Sequence, residues 1–327
     1  MKNINRFITN KINIKKNLNY SLIIGLTPSK GARSPTLWNK VYKKNKSRIR
    51  MYPADVEKKK LKNFIEFLKK DALFLGGSIT APYKVDMIKF CDTINPDAKK
   101  IGSINTIVKR NQKLVGYNTD YFGALSTLKK IKYKKKILIF GCGGASKAVI
   151  LAIVKYFKNS NLTLYNRNKK KLSNFLKKIS FTKKFSIINN LSSINKKKYD
   201  LIVNTTSIGF DSWVGSQKFE NLKYFSPFSK LSSIKKINFK VGSNFVKLNK
   251  DLITHDTKKV DLFFSKNKKI DVFDIIYNPK KTKLLKYAKK YRNKIYNGLE
   301  MNLIQAVKAF MIVNNIKNFN SIKKKMI

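Results

Sequence analysis

Hydrophobic positions along the chain follow two rhythms. Short unbroken apolar runs bounded by glycine or polar residues read as buried strands: SLIIGL (Ser21 to Leu26), LFLGGSI (Leu73 to Ile79), KILIF (Lys136 to Phe140), NLTLY (Asn161 to Tyr165), DLIVN (Asp200 to Asn204) and IDVFDIIY (Ile270 to Tyr277). Between them the period lengthens. Leu61, Phe64, Ile65 and Leu68 recur at helical spacing, and SKAVILAIVKYF, TKLLKYAKKY and LEMNLIQAVKAFMIV read as further helices. Pro35 suits the first turn of another, because its fixed φ is already helical. From about Lys134 the strands and helices alternate, which predicts a parallel, doubly wound sheet. The text from Phe210 to Lys269 is Ser/Lys/Asn-rich and longer than a compact connection, so an insertion with its own small structure is expected there.

A length of 327 residues suits two domains, and 43% hydrophobic with 12% aromatic residues is ample for their cores. The formal net charge is +55, which attracts anions. Lysine is scattered between apolar segments and accompanied by Asn, Ile, Phe and Tyr. A composition favouring A/T-rich codons therefore explains the charge better than a dedicated nucleic-acid surface, and no specific nucleic-acid partner is expected. Cys91 and Cys142 form no CxxC pair, which fits a reducing, cytoplasmic setting. His255 is the only histidine, so no histidine-based metal site is expected. No apolar run has the ~18–20 residues a membrane span needs. Residues 1–19 are basic and acid-free, somewhat like a transit peptide, and read as a basic N-terminal extension.

Two places carry chemistry. GCGGAS (Gly141 to Ser146) lies between the KILIF strand and a helix, the setting of a dinucleotide-binding turn. Gly141 would permit the tight turn, Gly143 the approach of a pyrophosphate, and Gly144 and Ala145 open the helix whose N-terminus faces phosphate. Ser146 stands where the third glycine is usual. At the end of the next strand, Asn166, Arg167 and Asn168 offer no carboxylate for a ribose hydroxyl, and Arg167 can fork onto a 2′-phosphate, which favours NADP. The second place is GYNTD, where Asp120 stands out in an acid-poor chain; the residues alone leave it a loop acid, a helix cap or a catalytic group.

GSITAPYK, GSINTI, GYNTD, GCGGAS, NRN, NTTSIGF, IIYNPKKTKLL and GLEMNLIQA follow one another in the order seen in the shikimate dehydrogenase family, quinate/shikimate members included, and the chain resembles that family from about residue 20 to 315. The resemblance implies an α/β fold: an N-terminal α/β substrate-binding domain (20–125), then a Rossmann-type doubly wound NADP-binding domain (126–281, with the insertion at 211–269). C-terminal helices (282–327) return to the first domain, and the active site lies in the cleft. It implies NADP-dependent reduction of 3-dehydroshikimate to shikimate by a soluble monomer or homodimer with no membrane partner. Lys84 and Asp120 become the catalytic pair. Ser34, Thr80, Asn105, Tyr277 and Gln305 become substrate contacts. Thr205, Thr206, Gly298 and Met301 join the cofactor side. Three positions depart from the family pattern. Ala32 lacks a hydroxyl usual in the early loop, Ser78 stands where Asn is common, and Glu300 replaces a small residue. A quinate or NAD-using relative, or a polyanion-binding protein on a decayed scaffold, are the alternatives.

Overall fold

The computed structural model describes residues 4–166, 169–178, 185–188, 191–211, 222–229 and 244–327. The chain forms two compact units. One runs to Gly123 and resumes over Asn302–Ile327; the other extends from Ala124 to Met301. No helix among the described residues is long and apolar enough to cross a membrane.

The first unit is built on a mixed six-stranded sheet. In chain order its strands are β1 (Tyr20–Gly25), β2 (Arg50–Asp55), β3 (Phe74–Ile79), β4 (Thr93–Ile94), β5 (Thr106–Arg110) and β6 (Lys113–Tyr117). They lie in the order β2-β1-β3-β5-β6-β4. β1 is parallel to β2 and β3, whereas β5 is antiparallel to both β3 and β6. Alternation along β1 sorts its side chains to two cores. Tyr20, Leu22 and Ile24 join α2 (Leu61–Lys70), while Ile23 joins α1 (Ser34–Lys44). Trp38, Val41 and Tyr42 of α1 meet Val307 and Phe310 in that second core. Because β1 is covered on both faces, it reads as an unbroken apolar run. The remaining helices of this unit's first part are α3 (Pro96–Ile101) and the start of α4 (Asp120–Leu128).

The second unit has the expected parallel sheet, formed by β7 (Lys136–Phe140), β8 (Asn161–Tyr165), β9 (Phe185–Ile188), β10 (Leu201–Asn204), β11 (Asp271–Asp274) and β12 (Lys294–Tyr296). Every pairing is parallel, in the order β12-β11-β10-β7-β8-β9. That is the doubly wound dinucleotide-binding order. Helices α5 (Gly144–Tyr156) and α6 (Lys169–Lys178) connect β7 to β8 and β8 to β9.

Three expectations about organisation meet a different structure. The first nineteen residues do not stand apart. Ile4, Ile8 and Ile12 are buried, and the Phe7 ring lies 5.7 Å from Phe64 and 5.1 Å from Phe67. The segment also covers β2, an edge strand, from which it takes the hydrogen bonds an edge leaves open. Thr9 N–H donates to the Asp55 carbonyl at 2.8 Å, Asn10 Oδ1 accepts from Asp55 N–H at 2.8 Å, and Asn10 Nδ2 donates to the Pro53 carbonyl at 2.9 Å. Second, much of the expected insertion belongs to the sheet. Helix α7 (Lys250–Lys266) lies in sequence between β10 and β11, as the crossover a parallel pair requires, and buries Val260, Phe263 and Phe264 in the core of this unit. Residues 212–221 and 230–243 of that stretch lie outside the described residues. Third, α8 (Lys283–Lys290) and β12, expected with the closing helices, belong to the second unit; only the helical text from Asn302 onward returns to the first. That text comprises most of α9 (Leu299–Asn314) and all of α10 (Phe319–Met326).

Asp274, at the end of β11, is fully buried. Asn204 Nδ2 (3.0 Å) and Ile276 N–H (3.1 Å) donate to its Oδ1, and Thr282 Oγ donates to its Oδ2 (2.7 Å). Thr282 in turn caps α8. Burial pushes the carboxyl up to about 7 despite those donors. The folded protein therefore keeps this proton where the unfolded chain, with an ordinary carboxyl, has lost it. The stabilising contribution is full below about pH 4 and is lost as pH climbs toward about 7, then levels off. Denaturant unfolding at pH 5 and pH 8 should show wild type losing roughly 2–3 kcal/mol over that interval, and Asp274→Asn losing much less. Equal losses in the two proteins would assign the proton elsewhere.

Candidate active site

The mixed sheet gathers the ends of three strands of the first unit. Because β3 runs opposite to β5, and β5 opposite to β6, the end of β3, the start of β5 and the end of β6 fall together. Thr80 and Lys84 follow β3, Asn105 precedes β5, and Asn118, Thr119 and Asp120 follow β6. Ser34 opens α1 in the loop after β1, which is parallel to β3, and is buried.

Lys84 Nζ lies 2.6 Å from Asp120 Oδ2. The Asp120 side chain is 6% exposed and that of Lys84 19%, so the pair is largely withdrawn from water yet open on the lysine side. Asp120 is the first residue of α4, where the helix dipole favours an anion. It is not the cap. Asn118, two residues earlier, closes the turn into the helix: its Oδ1 accepts from Asp120 N–H at 3.1 Å, and its Nδ2 donates to the Ser103 carbonyl at 2.9 Å. The carboxylate of Asp120 is left to face side chains. Its Oδ1 accepts from Asn105 Nδ2 at 3.0 Å, and Asn105 Oδ1 accepts from Thr119 N–H at 2.7 Å. A carboxylate on one side and an N–H on the other fix which way the Asn105 amide points. Asn105 Nδ2 also approaches Gln305 Oε1 at 3.2 Å, tying α9 into the network.

Of the expected site residues, Lys84, Asp120, Asn105 and Gln305 form one hydrogen-bonded cluster. Thr119, Asn118 and Asn302 belong to it but were not singled out by sequence. Arg33 Nη1 donates to Asn302 Oδ1 at 3.1 Å, and Gln305 Nε2 donates to the Asn302 carbonyl at 3.0 Å. Arg33, beside the hydroxyl-less Ala32, is thus joined to the same network. Thr119 is fully buried next to Asp120, and GYNTD itself was the signal that could have found it. Ser78 is buried in β3 with no hydrogen-bond partner for its hydroxyl.

In the second unit, Gly141 has φ +103°, and a side chain there would meet Thr205 Oγ at 2.8 Å, so the protein itself requires glycine. Gly143 is different. A Cβ added there would find only Ser146 Oγ, at 3.7 Å, so nothing in the protein excludes a side chain. The space suits the backbone approach of a pyrophosphate, and the first turn of α5 carries no acidic residue to oppose one. Ser146, in place of the third glycine, fastens the turn: its Oγ accepts from Gly143 N–H at 2.8 Å and from Thr205 Oγ at 2.8 Å. Gly144 and Ala145 begin α5, Thr206 is tied to Asn204 Oδ1 at 2.8 Å, and Asn166 follows β8. Arg167 and Asn168 lie outside the described residues. Tyr277 is half-buried with its ring 5.2 Å from that of Phe210, and Met301 is buried. Glu300 pairs with Lys130, which draws its carboxylate to a partly exposed ion pair.

Gly298 has a packing reason of its own. Its N–H donates to the Ile276 carbonyl at 2.9 Å, and a Cβ there would come 1.8 Å from the Ile275 carbonyl oxygen. Backbone cannot yield to that overlap. Gly298→Ala should therefore destabilise the protein by about 2–4 kcal/mol, seen as a lower denaturation midpoint without cofactor; an unchanged midpoint would show that the contact relaxes.

Comparison with known proteins agrees with this geometry. Residues 23–107, the stretch that supplies Ser34, Thr80, Lys84 and Asn105, match the model of the shikimate dehydrogenase substrate binding domain. A shikimate dehydrogenase (NADP(+)) of Methanococcus maripaludis is 33% identical over 301 residues, covering 90% of this chain and 91% of its own length. One from Caldicellulosiruptor saccharolyticus is 33% identical over 267 residues, 80% of this chain and 81% of its own. The crystal structure of shikimate dehydrogenase from Aquifex aeolicus is 28% identical and superposes with a TM-score of 0.70 over 96% of this chain and 99% of that one. With the substrate-domain sheet, the doubly wound sheet and near full-length similarity all present in one chain, this protein belongs to the shikimate dehydrogenase family.

Proposed function

We propose that the chain catalyses the reversible NADP-dependent reduction of 3-dehydroshikimate to shikimate, a step toward aromatic amino acids, with Lys84 and Asp120 as the catalytic pair. The observation that carries the reading is the Lys84–Asp120 contact of 2.6 Å, supported by Asn105, itself joined to Gln305, where the ends of β3 and β6 meet the start of β5. NADPH, when bound, supplies the hydride; Gly141, Gly143, Gly144, Ala145, Thr205 and Thr206 would hold its pyrophosphate side, Arg167 with Asn166 and Asn168 its 2′-phosphate, and Gly298 and Met301 its nicotinamide. Asp120 holds the Lys84 ammonium in place by charge and hydrogen bond. As the ketone carbon is reduced, negative charge gathers on oxygen, where the ammonium stabilises it and gives up a proton from Nζ. In the oxidation direction neutral Lys84 takes that proton back from the hydroxyl. Ser34, Thr80, Asn105, Tyr277 and Gln305 grip the substrate carboxylate and hydroxyls. The pathway and the reduced cysteines go with a cytoplasmic enzyme, as monomer or homodimer.

Purified protein is expected to form NADPH from shikimate and NADP, followed by nicotinamide absorbance, faster than it turns over quinate or uses NAD. Preference for quinate or NAD would move the protein to the broader branch of the family. Folded protein that binds NADP yet turns over none of these would overturn the assignment.

A further inference from the structure

The parallel sheet of the second unit has a cavity at the end away from the glycine-rich turn. Gly141 follows the last residue of β7, whereas Lys136, Asn161 and Phe185 are the first residues of β7, β8 and β9. All three line this cavity of about 510 Å³, together with Thr163, Ser186, Lys197, Lys198 and Tyr199. The volume falls within the range of small-molecule sites.

Lysines are abundant everywhere in this chain, so their presence alone would decide nothing. Tyr199 is the distinguishing feature. It is 4% exposed, and its hydroxyl, sealed from solvent, meets only the Thr163 hydroxyl and forms no hydrogen bond of normal geometry with it. The neighbouring Thr163 hydroxyl is engaged instead with that of Ser186, at 3.0 Å. A buried hydroxyl without a partner costs about 1–3 kcal/mol, which a ligand acceptor would recover. Burial also pushes the Tyr199 phenol up to about 12, so at neutral pH it is a donor as well as an acceptor. Lys136, Lys197 and Lys198 have no carboxylate partner among the described residues. The nearby Asp200 carboxylate accepts instead from the backbone N–H groups of Lys135 and Lys136, at 3.0 and 2.8 Å. The cavity thus combines three ammonium groups that form no ion pair among the described residues, a phenol without a well-formed hydrogen bond, two further hydroxyls and the aromatic side chains of Phe185 and Tyr199.

We infer that this cavity is a second ligand site, separate from the cofactor turn, for a small phosphomonoester with a planar body. Its dianion would meet the lysines and the Tyr199 hydroxyl, and its planar part the aromatic wall. Phenyl phosphate is the minimal probe, titrated calorimetrically into the full chain with and without saturating NADP. The expected result is saturable binding at one site per chain that persists with NADP bound. Lys197→Glu with Lys198→Glu should weaken it at least tenfold, while the same charge reversal at the exposed Lys58 and Lys59 should change it less than twofold. Tyr199→Phe should weaken binding several-fold and leave the unliganded protein equally or more resistant to denaturation, a combination that loss of packing would not produce. Displacement by NADP would place the probe at the cofactor turn and overturn the inference. So would equal weakening by both charge-reversed pairs, unaltered binding in Tyr199→Phe, or preferential binding of an oligonucleotide over phenyl phosphate.

Discussion

Lys84→Ala is expected to lower kcat for shikimate oxidation by about a thousandfold or more, with a much smaller change in KM. Its ammonium is the only side-chain cation paired with the Asp120 carboxylate among the described contacts, and 19% exposure leaves it able to meet a substrate oxygen. Removing it deletes both the positive charge and the proton source. Asp120→Asn should cost nearly as much, for a geometric reason. Asn105 Nδ2 donates to Oδ1 of Asp120, so the new amide keeps its oxygen toward Asn105 and turns its NH₂ toward the lysine. Donor then meets donor, and the pair opens. The fold should survive both changes, since the turn into α4 is closed by Asn118 rather than by the Asp120 side chain. Steady-state kinetics with NADP and far-UV circular dichroism on the two variants check this. A Lys84→Ala enzyme within tenfold of wild type would remove Lys84 from the chemistry, whatever the substrate proves to be.

How far the sequence reveals this site depends on what each residue is surrounded by. Asp120 stands out because acids are scarce; Lys84 does not, because 72 of the residues are Lys or Arg. Only the ordered family motifs single it out. The parts of Asn118 and Thr119 depend on strands that meet only when the mixed sheet folds, and that of Asn302 on a helix that returns from far along the chain to Arg33. The strands themselves divide in the same way. β7, β8, β10 and β11 lie inside a parallel sheet, covered on both faces, and so read as apolar runs. β2 reads RMYPAD, with a proline and two charges, and no run announces it; it is an edge strand, where Pro53 sacrifices no sheet partner. Short β9 and β12 are the edges of the other sheet and were missed likewise. Helix α7 escaped because lysines, acids and a histidine separate its anchors, Val260, Phe263 and Phe264, from the rest of the text.

The beginning of the chain provides the other large expected effect. A basic, acid-free stretch suggested an N-terminal extension, and were it one outside the packed fold, substitutions within it would change stability by less than about 0.5 kcal/mol. The structure predicts otherwise. Ile8 is 6% exposed and bridges to Val56 at the margin of β2, among Phe64, Phe67 and Val56 of the first core. Ile8→Ala should therefore cost about 2–4 kcal/mol, as for other buried isoleucines. Asn10→Ala removes one donor and one acceptor from the β2 edge and should cost about 1–3 kcal/mol. Deleting residues 1–12 should exceed either, because it strips Ile4, Phe7 and Ile8 from the Phe64 and Phe67 face and also exposes a strand edge to other chains. Urea unfolding of the point variants, with light scattering of the truncated protein, separates these outcomes. Two substitutions without effect, and a truncated protein as stable and monodisperse as the full chain, would restore the reading as an extension. The expected losses would instead make these residues part of the unit that holds Lys84 and Asp120. Asp55 shows the connection. Its backbone binds Thr9 and Asn10, while its carboxylate accepts from Ser29 N–H at 2.9 Å, in the loop that leads to Ser34. Losing the segment should therefore loosen that loop, and raise KM for shikimate in whatever truncated protein remains folded.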